Sequence, residues 1–176
     1  QLLSSTLIYG NAELLSDFPC SRMAKAIINI LNERAEEQLD VLAAQCIYHF
    51  LEAHPNSTRA LIENEALPSI AKYLQNNPNS EAAHNLIKSL ETISTYRPSD
   101  IGKEMKLTPI LGIFKKLSKL DQKTAAQTMV KVTDSFVDDT FASSLTELLN
   151  MYLEFDEPVK VSAILTFGNI VKNLND

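Results

Sequence analysis

The sequence predicts an all-α protein assembled from one helical module used several times over. Four glycines and seven prolines in 176 residues leave little room for sheet hairpins or flexible linkers. Runs of valine and isoleucine bounded by glycine turns, which would signal strands, are missing. A pair of helix-start signals and one apolar pattern instead recur together along the chain.

The module is clearest in DVLAAQCIYHFLEAHPNSTRALIENEALPSIAKYL, residues 40–74. It reads as a long apolar helix, a break at His54-Pro55-Asn56-Ser57, a short helix, a second break and a third helix. Asn56 and Ser57 are turn and N-cap residues by chemistry, since short polar side chains accept from free N–H groups. Pro68 marks the start of the third helix, because proline has no N–H to lose in a first turn. One such unit cannot bury its own apolar face, so it must be repeated.

The repeat is legible in spacing. Alanine pairs open the long helices at Ala43-Ala44, Ala82-Ala83 and Ala125-Ala126, at intervals of 39 and 43 residues. LPSIAKYL (67–74) is answered by LTPILGIFKKL (107–117) and more loosely by LTELLNMYL (145–153). FPCSRMAKAIINIL (18–31) has the same proline-led form. A period of roughly 40 to 47 residues is that of HEAT and armadillo repeats. The expected architecture is therefore an armadillo/HEAT-type right-handed superhelical solenoid of about four repeats, the terminal ones incomplete. It forms a single armadillo-like domain over residues 1–176, and the missing initial methionine suggests a fragment of a longer chain.

In chain order, residues 2–15 give the end of a truncated helix and a second short one across Gly10-Asn11. Ser21 to Glu33 is a helix with Met23, Ile27, Ile30 and Leu31 on one face, and Arg34 to Gln38 is a charged connector or the rim of that helix. After the polar loop at residues 75–79, Ser80-Glu81 starts a long helix with Ala83, Leu86, Ile87, Leu90 and Ile93 inward. Arg97-Pro98-Ser99-Asp100 breaks and caps as the first break does, and Ile101 to Lys106 is a short piece before the helix led by Pro109. Asp121 to Phe136 is the next long helix, with Met129, Val132 and Phe136 apolar. Asp138-Asp139 then leads into Phe141 to Tyr152. Glu157-Pro158 starts the last helix, whose Ile164, Leu165, Phe167, Ile170 and Val171 need a partner, so that open end is a candidate for self-association.

Charge and composition narrow the function. A net charge of −6 argues against nucleic-acid and anionic-membrane partners, which need a basic field. No run approaches the ~20 apolar residues of a membrane span. Cys20 and Cys46 are too few for a disulfide framework or a zinc site, and fit a reducing, cytoplasmic or nuclear setting. Cys46 reads as a small buried hydrophobe beside Ala43, Ala44, Ile47 and Phe50. His49, His54 and His84 show no metal-ligand spacing, and His54 reads as a helix C-terminal residue beside the last carbonyls. HExxH, a Gly-rich phosphate loop and GxSxG are missing, so no catalytic residue, cofactor or metal is expected in this segment.

Binding is expected on the long helices. Gln45, His49 and Glu52 fall at i, i+4 and i+7, one exposed stripe. The repeat carries it onto His84, Lys88 and Glu91, then onto Gln127, Lys131 and Asp134. In a solenoid these stripes would line a groove able to hold an extended peptide. Equally, every amphipathic helix has a solvated face, and Lys–Glu spacing at i, i+3 stabilises the helix itself. Tyr48 reads either as an anchor among them or as a packed aromatic.

Residues 40–136 resemble the N-terminal armadillo region of HECT-type ubiquitin ligases of the ubiquitin-fusion-degradation class, relatives of the thyroid-receptor-interacting ligase. The likeness rests on AAQCIYHFLEAHPNSTRALIENEALPSIAKYL, SEAAHNLIKSLETISTYRP and KTAAQTMVKV. ENEALP is similar to the armadillo EAGALP turn but has Glu65 where glycine is usual, and EMKLTP departs further. The resemblance implies a non-catalytic scaffold that recognises a degradation substrate, ubiquitin or a ubiquitin fusion. The catalytic HECT domain would lie elsewhere in the parent chain, and neither cysteine matches a transfer motif. The alternative is a scaffold or adaptor unrelated to ubiquitin: either a structural scaffold whose ends carry the contacts, or a transport-type groove, although that family grips basic peptides with tryptophan and asparagine ladders and this chain has no tryptophan.

Overall fold

The computed structural model describes residues 19–33, 36–54 and 56–174. The helices expected within residues 2–15, the first part of the charged connector, and Pro55 lie outside the described residues. Among the described residues every regular element is helical: α1 (Cys20–Glu33), α2 (Glu37–Ala53), α3 (Ser57–Glu63), α4 (Ala66–Asn76), α5 (Glu81–Tyr96), α6 (Pro98–Glu104), α7 (Thr108–Ile113), α8 (Lys119–Ser135), α9 (Leu145–Glu154) and α10 (Glu157–Leu174). Two 3₁₀ turns, Phe114–Lys116 and Asp139–Ser144, extend α7 and precede α9. No helix among them is long and apolar enough to cross a membrane.

The order is short helix, medium helix, long helix, met as α3-α4-α5 and again as α6, α7 with its 3₁₀ extension, and α8. Module ends follow local chemistry. The Ser80 hydroxyl accepts from the Ala83 N–H at 3.2 Å, so α5 begins where the sequence places it. Ser118 accepts from Asp121 N–H at 3.1 Å and returns its own proton to the Asp121 carboxylate at 2.7 Å, capping α8. Pro98 and Pro109 occupy the first turns of α6 and α7, where a missing N–H costs nothing.

The turn between short and medium helices is the sharpest repeat marker. Glu65 and Lys106, 41 positions apart, have φ of 61° and 62° and are the two non-glycine residues with positive φ among those described. These are the positions where an armadillo-like turn favours glycine, and the left-handed backbone is kept without it. The last module departs: its first helix is the six-residue 3₁₀ turn, which runs through Ser144 at φ −84° straight into α9.

The chain divides between Ser89 and Leu90 into two compact units. In the first, α1 packs against α2, α3 and α4 around Ile27, Leu31, Ile47, Phe50, Leu61 and Leu67, all nearly or fully buried. Each such side chain contributes about 1.5–3 kcal/mol of transfer free energy. The buried face of α1 is Ala24, Ile27, Ile28 and Leu31; Ile30, expected inside, is 39% exposed. With three helices packed on α1, Ile28 takes the place in the core. In the second unit α10 packs against α8 and α9, and α6 against α8. Phe114, Met129, Val132, Phe141 and Ile170 form its centre. Gly102 of α6 permits one close approach, since a Cβ there would lie 2.6 Å from the Phe136 ring.

The cap expected at Asn56-Ser57 is built differently. Asn56 makes no side-chain cap to α3, and the Ser57 hydroxyl donates backwards to the His54 carbonyl at 2.7 Å. On α10, Ile170 is buried as expected and Phe167 half-buried, whereas Ile164, Leu165 and Val171 are exposed.

Candidate binding face of the long helices

The long helices α2, α5, α8 and α10 each carry a buried small pair, Ala43-Ala44, Ala82-Ala83, Ala125-Ala126 and Ser162-Ala163, at the start of α5 and more than a turn inside the other three. Small residues let a helix approach its neighbours closely, so the pair fixes which face turns inward. The residue after each pair, together with those one and two turns further on, therefore turns outward. All nine residues expected on this stripe are half-buried or exposed.

In the first unit three of the stripe's side chains meet around Tyr48. Its hydroxyl donates to Glu52 Oε1 at 2.6 Å, and its ring lies 5.5 Å from that of His49. Lys88 of α5 stands with Nζ 5.7 Å from the Tyr48 ring centroid, a cation–π distance. His49 Nδ1 is 3.8 Å from Glu52 Oε2. Gln45 and His84 lie half-buried on the same helices. Tyr48 is thus neither core nor free anchor; it bridges α2 to Lys88. Sequence spacing left its role open because the deciding contact comes from a helix 40 residues away.

In the second unit Lys131 of α8 reaches α5, donating to Thr95 Oγ1 at 3.0 Å and lying 3.8 Å from Glu91 Oε1. Glu91 and Lys131 are each about two-fifths exposed, so solvent screens the pair. Gln127 and Asp134 are exposed, and the Asp134 carboxylate makes no hydrogen bond or ion pair among the described residues. The fourth long helix had no place in the expected stripe. Aligning Ala163 with Ala126 puts Ile164, Gly168 and Val171 of α10 where α8 has Gln127, Lys131 and Asp134. That alignment was available from sequence, but the 37-residue interval is shorter than the others and hides it.

His54 and Cys20, away from the stripe, are engaged with each other and with the backbone. His54 Nδ1 accepts from Asn56 N–H at 3.1 Å, which in the neutral ring places the proton on Nε2. Cys20 Sγ lies 3.4 Å from Nδ1 and 3.7 Å from Nε2, tying the start of α1 to the end of α2. Burial pushes the Cys20 thiol up, against a smaller lowering by a backbone hydrogen bond. Burial also pushes up the Cys46 thiol. Among the described residues, no group of three or more His, Cys, Asp or Glu is placed to hold a metal ion.

No protein-family model matches the sequence, and a search of curated proteins finds no match. Solved structures do match. A designed armadillo repeat protein in complex with the peptide (KR)4 superposes with a TM-score of 0.65 at 16% identity, covering 95% of this chain and 80% of that one. A computationally designed armadillo repeat protein for modular peptide recognition matches with a TM-score of 0.66 at 17% identity, over 96% of this chain and 80% of that one. The fold is that of armadillo-repeat solenoids.

Proposed function

We propose that the chain is a non-catalytic protein-interaction module that holds an extended peptide against the outward stripe of its long helices. The observation that carries this is the recurrence of outward polar side chains at one register of successive long helices, placed by the buried alanine pairs. Tyr48, His49 and Glu52 with Lys88, and Lys131 with Glu91 and Thr95, offer donors and acceptors held in position by one another. Pre-positioned groups lose less entropy on binding than free ones. The structural likeness to armadillo repeat proteins designed for peptide recognition supports the same reading. Panning displayed random peptides on the purified chain tests it: binders should emerge, and Lys88→Glu with Lys131→Glu should weaken them several-fold at unchanged helicity. A chain that selects no peptide at all defeats the proposal.

The finer reading is that the module serves a HECT-type ubiquitin ligase, docking a degradation substrate, ubiquitin or a ubiquitin fusion in the cytoplasm or nucleus. It rests on the sequence likeness over residues 40–136, and its cellular setting on the two free thiols. Titrating isotope-labelled chain with ubiquitin and with a linear ubiquitin fusion should shift amide resonances along the stripe. Spectra unmoved at millimolar ligand remove ubiquitin from the list of partners.

A further inference from the structure

The outward stripe changes character on its last helix. Val161, Ile164 and Leu165 of α10 are 51%, 45% and 50% exposed, and Val171 continues the line. Gly168 lies among them with nothing within 4 Å of where a Cβ would stand. Positions 161, 164, 168 and 171 follow i, i+3, i+7 and i+10, so they form one face. That face lies opposite the buried Val159, Ser162, Ala163, Thr166 and Ile170. Asn169 and Asn173 donate to Val130 O, Thr133 Oγ1 and Thr133 O, fixing the flank of α10 that meets α8. The apolar line is therefore on the same outward side as Gln127, Lys131 and Asp134 of α8, one helix over.

Beside it is a negative site. Asp134, Ser135, Phe136 and Val137 at the end of α8 line a cleft of about 300 Å³ with Asn173 of α10. The exposed Asp134 carboxylate has no charged partner there among the described residues, and the carbonyl end of α8 adds negative potential. An apolar line next to an unpaired carboxylate is complementary to a side-chain pair of matching kind.

We propose that α10 is the anchor step of the binding face, taking an apolar side chain of an extended peptide over Ile164 and Gly168 while a nearby basic side chain of that peptide meets Asp134. This rests on the peptide-binding reading above and adds the chemistry of its ligand. Packed helix axes lie about 8–10 Å apart, Asp134 stands level with Val171, about 4.5 Å along the axis from Gly168 and about 10 Å from Ile164, and an extended chain advances about 3.3 Å per residue, so the two ligand side chains stand about three or four residues apart. Gly168 lets the peptide backbone approach closely.

The test is to pan displayed random peptides on the whole chain and measure the best binder by fluorescence anisotropy. Selected sequences should pair an arginine or lysine with a leucine, isoleucine or phenylalanine three or four positions away. Val161→Ser with Ile164→Ser should weaken that peptide roughly tenfold or more. The same loss should follow from replacing its apolar residue by serine, and the two losses should not add. Asp134→Asn should remove the preference for the basic residue. Peptides that bind the serine variant as tightly as the parent overturn the anchor and leave the peptide-binding reading standing. Failure to select any peptide overturns both. A concentration-dependent dimer in sedimentation that the serine variant abolishes overturns the anchor too, because the face then belongs to a second copy of the chain.

Discussion

Glu65 and Lys106 hold a left-handed backbone that glycine adopts without penalty, and the two should respond differently to receiving it. For an L-residue this conformation costs about 1–2 kcal/mol, partly offset by the extra unfolded-state freedom of glycine. Glu65 is exposed and makes no side-chain cap, so Glu65→Gly should raise stability by about 0.5–1 kcal/mol in urea melts. Lys106 is ion-paired with Asp138 and lies 5.5 Å and 5.7 Å from the Phe136 and Phe141 ring centroids. Lys106→Gly should gain nothing, because those contacts go with the side chain. Asp138 adds a pH signature. Hydrogen bonds from the Lys106 ammonium, then from the Thr140 hydroxyl, hold its carboxyl below the usual range. A depressed folded pKa stabilises the protein above the ordinary carboxylate value and loses that contribution as pH falls through the folded value. Lys106→Gly should therefore flatten the acid limb of the stability–pH curve, and an unaltered limb would assign Asp138 no share in it.

The alanine pairs that reveal the repeat are also where the long helices tolerate least. Ala126 is fully buried, and Ala126→Leu should cost about 1–3 kcal/mol by overpacking. Leu90, 1% exposed on α5, should cost about 2–5 kcal/mol as alanine through the cavity left behind; both are read from chemical denaturation. Such positions were legible in sequence because alanine pairs, first-turn prolines and capping serines are local signals tied to one helix. The α5 face of Ala83, Leu86, Ile87, Leu90 and Ile93 emerged as expected, all buried. What was not legible depended on neighbours. Ile30 and Ile28 of α1 are equally apolar, and three packed helices decide that Ile28 goes inside. On α10 the apolar residues outnumber what α8 and α9 can cover, so Ile164 and Leu165 face out although their type suggested the core. The nine polar stripe residues are half-buried or exposed, and the pairings of Lys88 with Tyr48 and of Lys131 with Thr95 required the adjacent helices.

Within each unit the contacts among the described residues run between helices near in sequence, and stability in such folds is a sum of module and nearest-neighbour terms. A defect deep in one unit should then be felt locally before it is felt globally. Phe141 is 1% exposed, packs edge-on to Phe136 at 6.0 Å and sits in the unit that begins at Leu90. Phe141→Ala removes about 3–5 kcal/mol of packing there. Native-state hydrogen exchange should show amides of α8, α9 and α10 losing protection by that amount, while those of α1, α2 and α3 keep most of theirs. The same locality bears on binding, because an anchor on α10 could then open and close without loosening the residues around Tyr48. Equal loss of protection in α1 and α10 would instead mean that the chain unfolds as one cooperative body, and a ligand on α10 would stabilise Ile47 as much as Ile170.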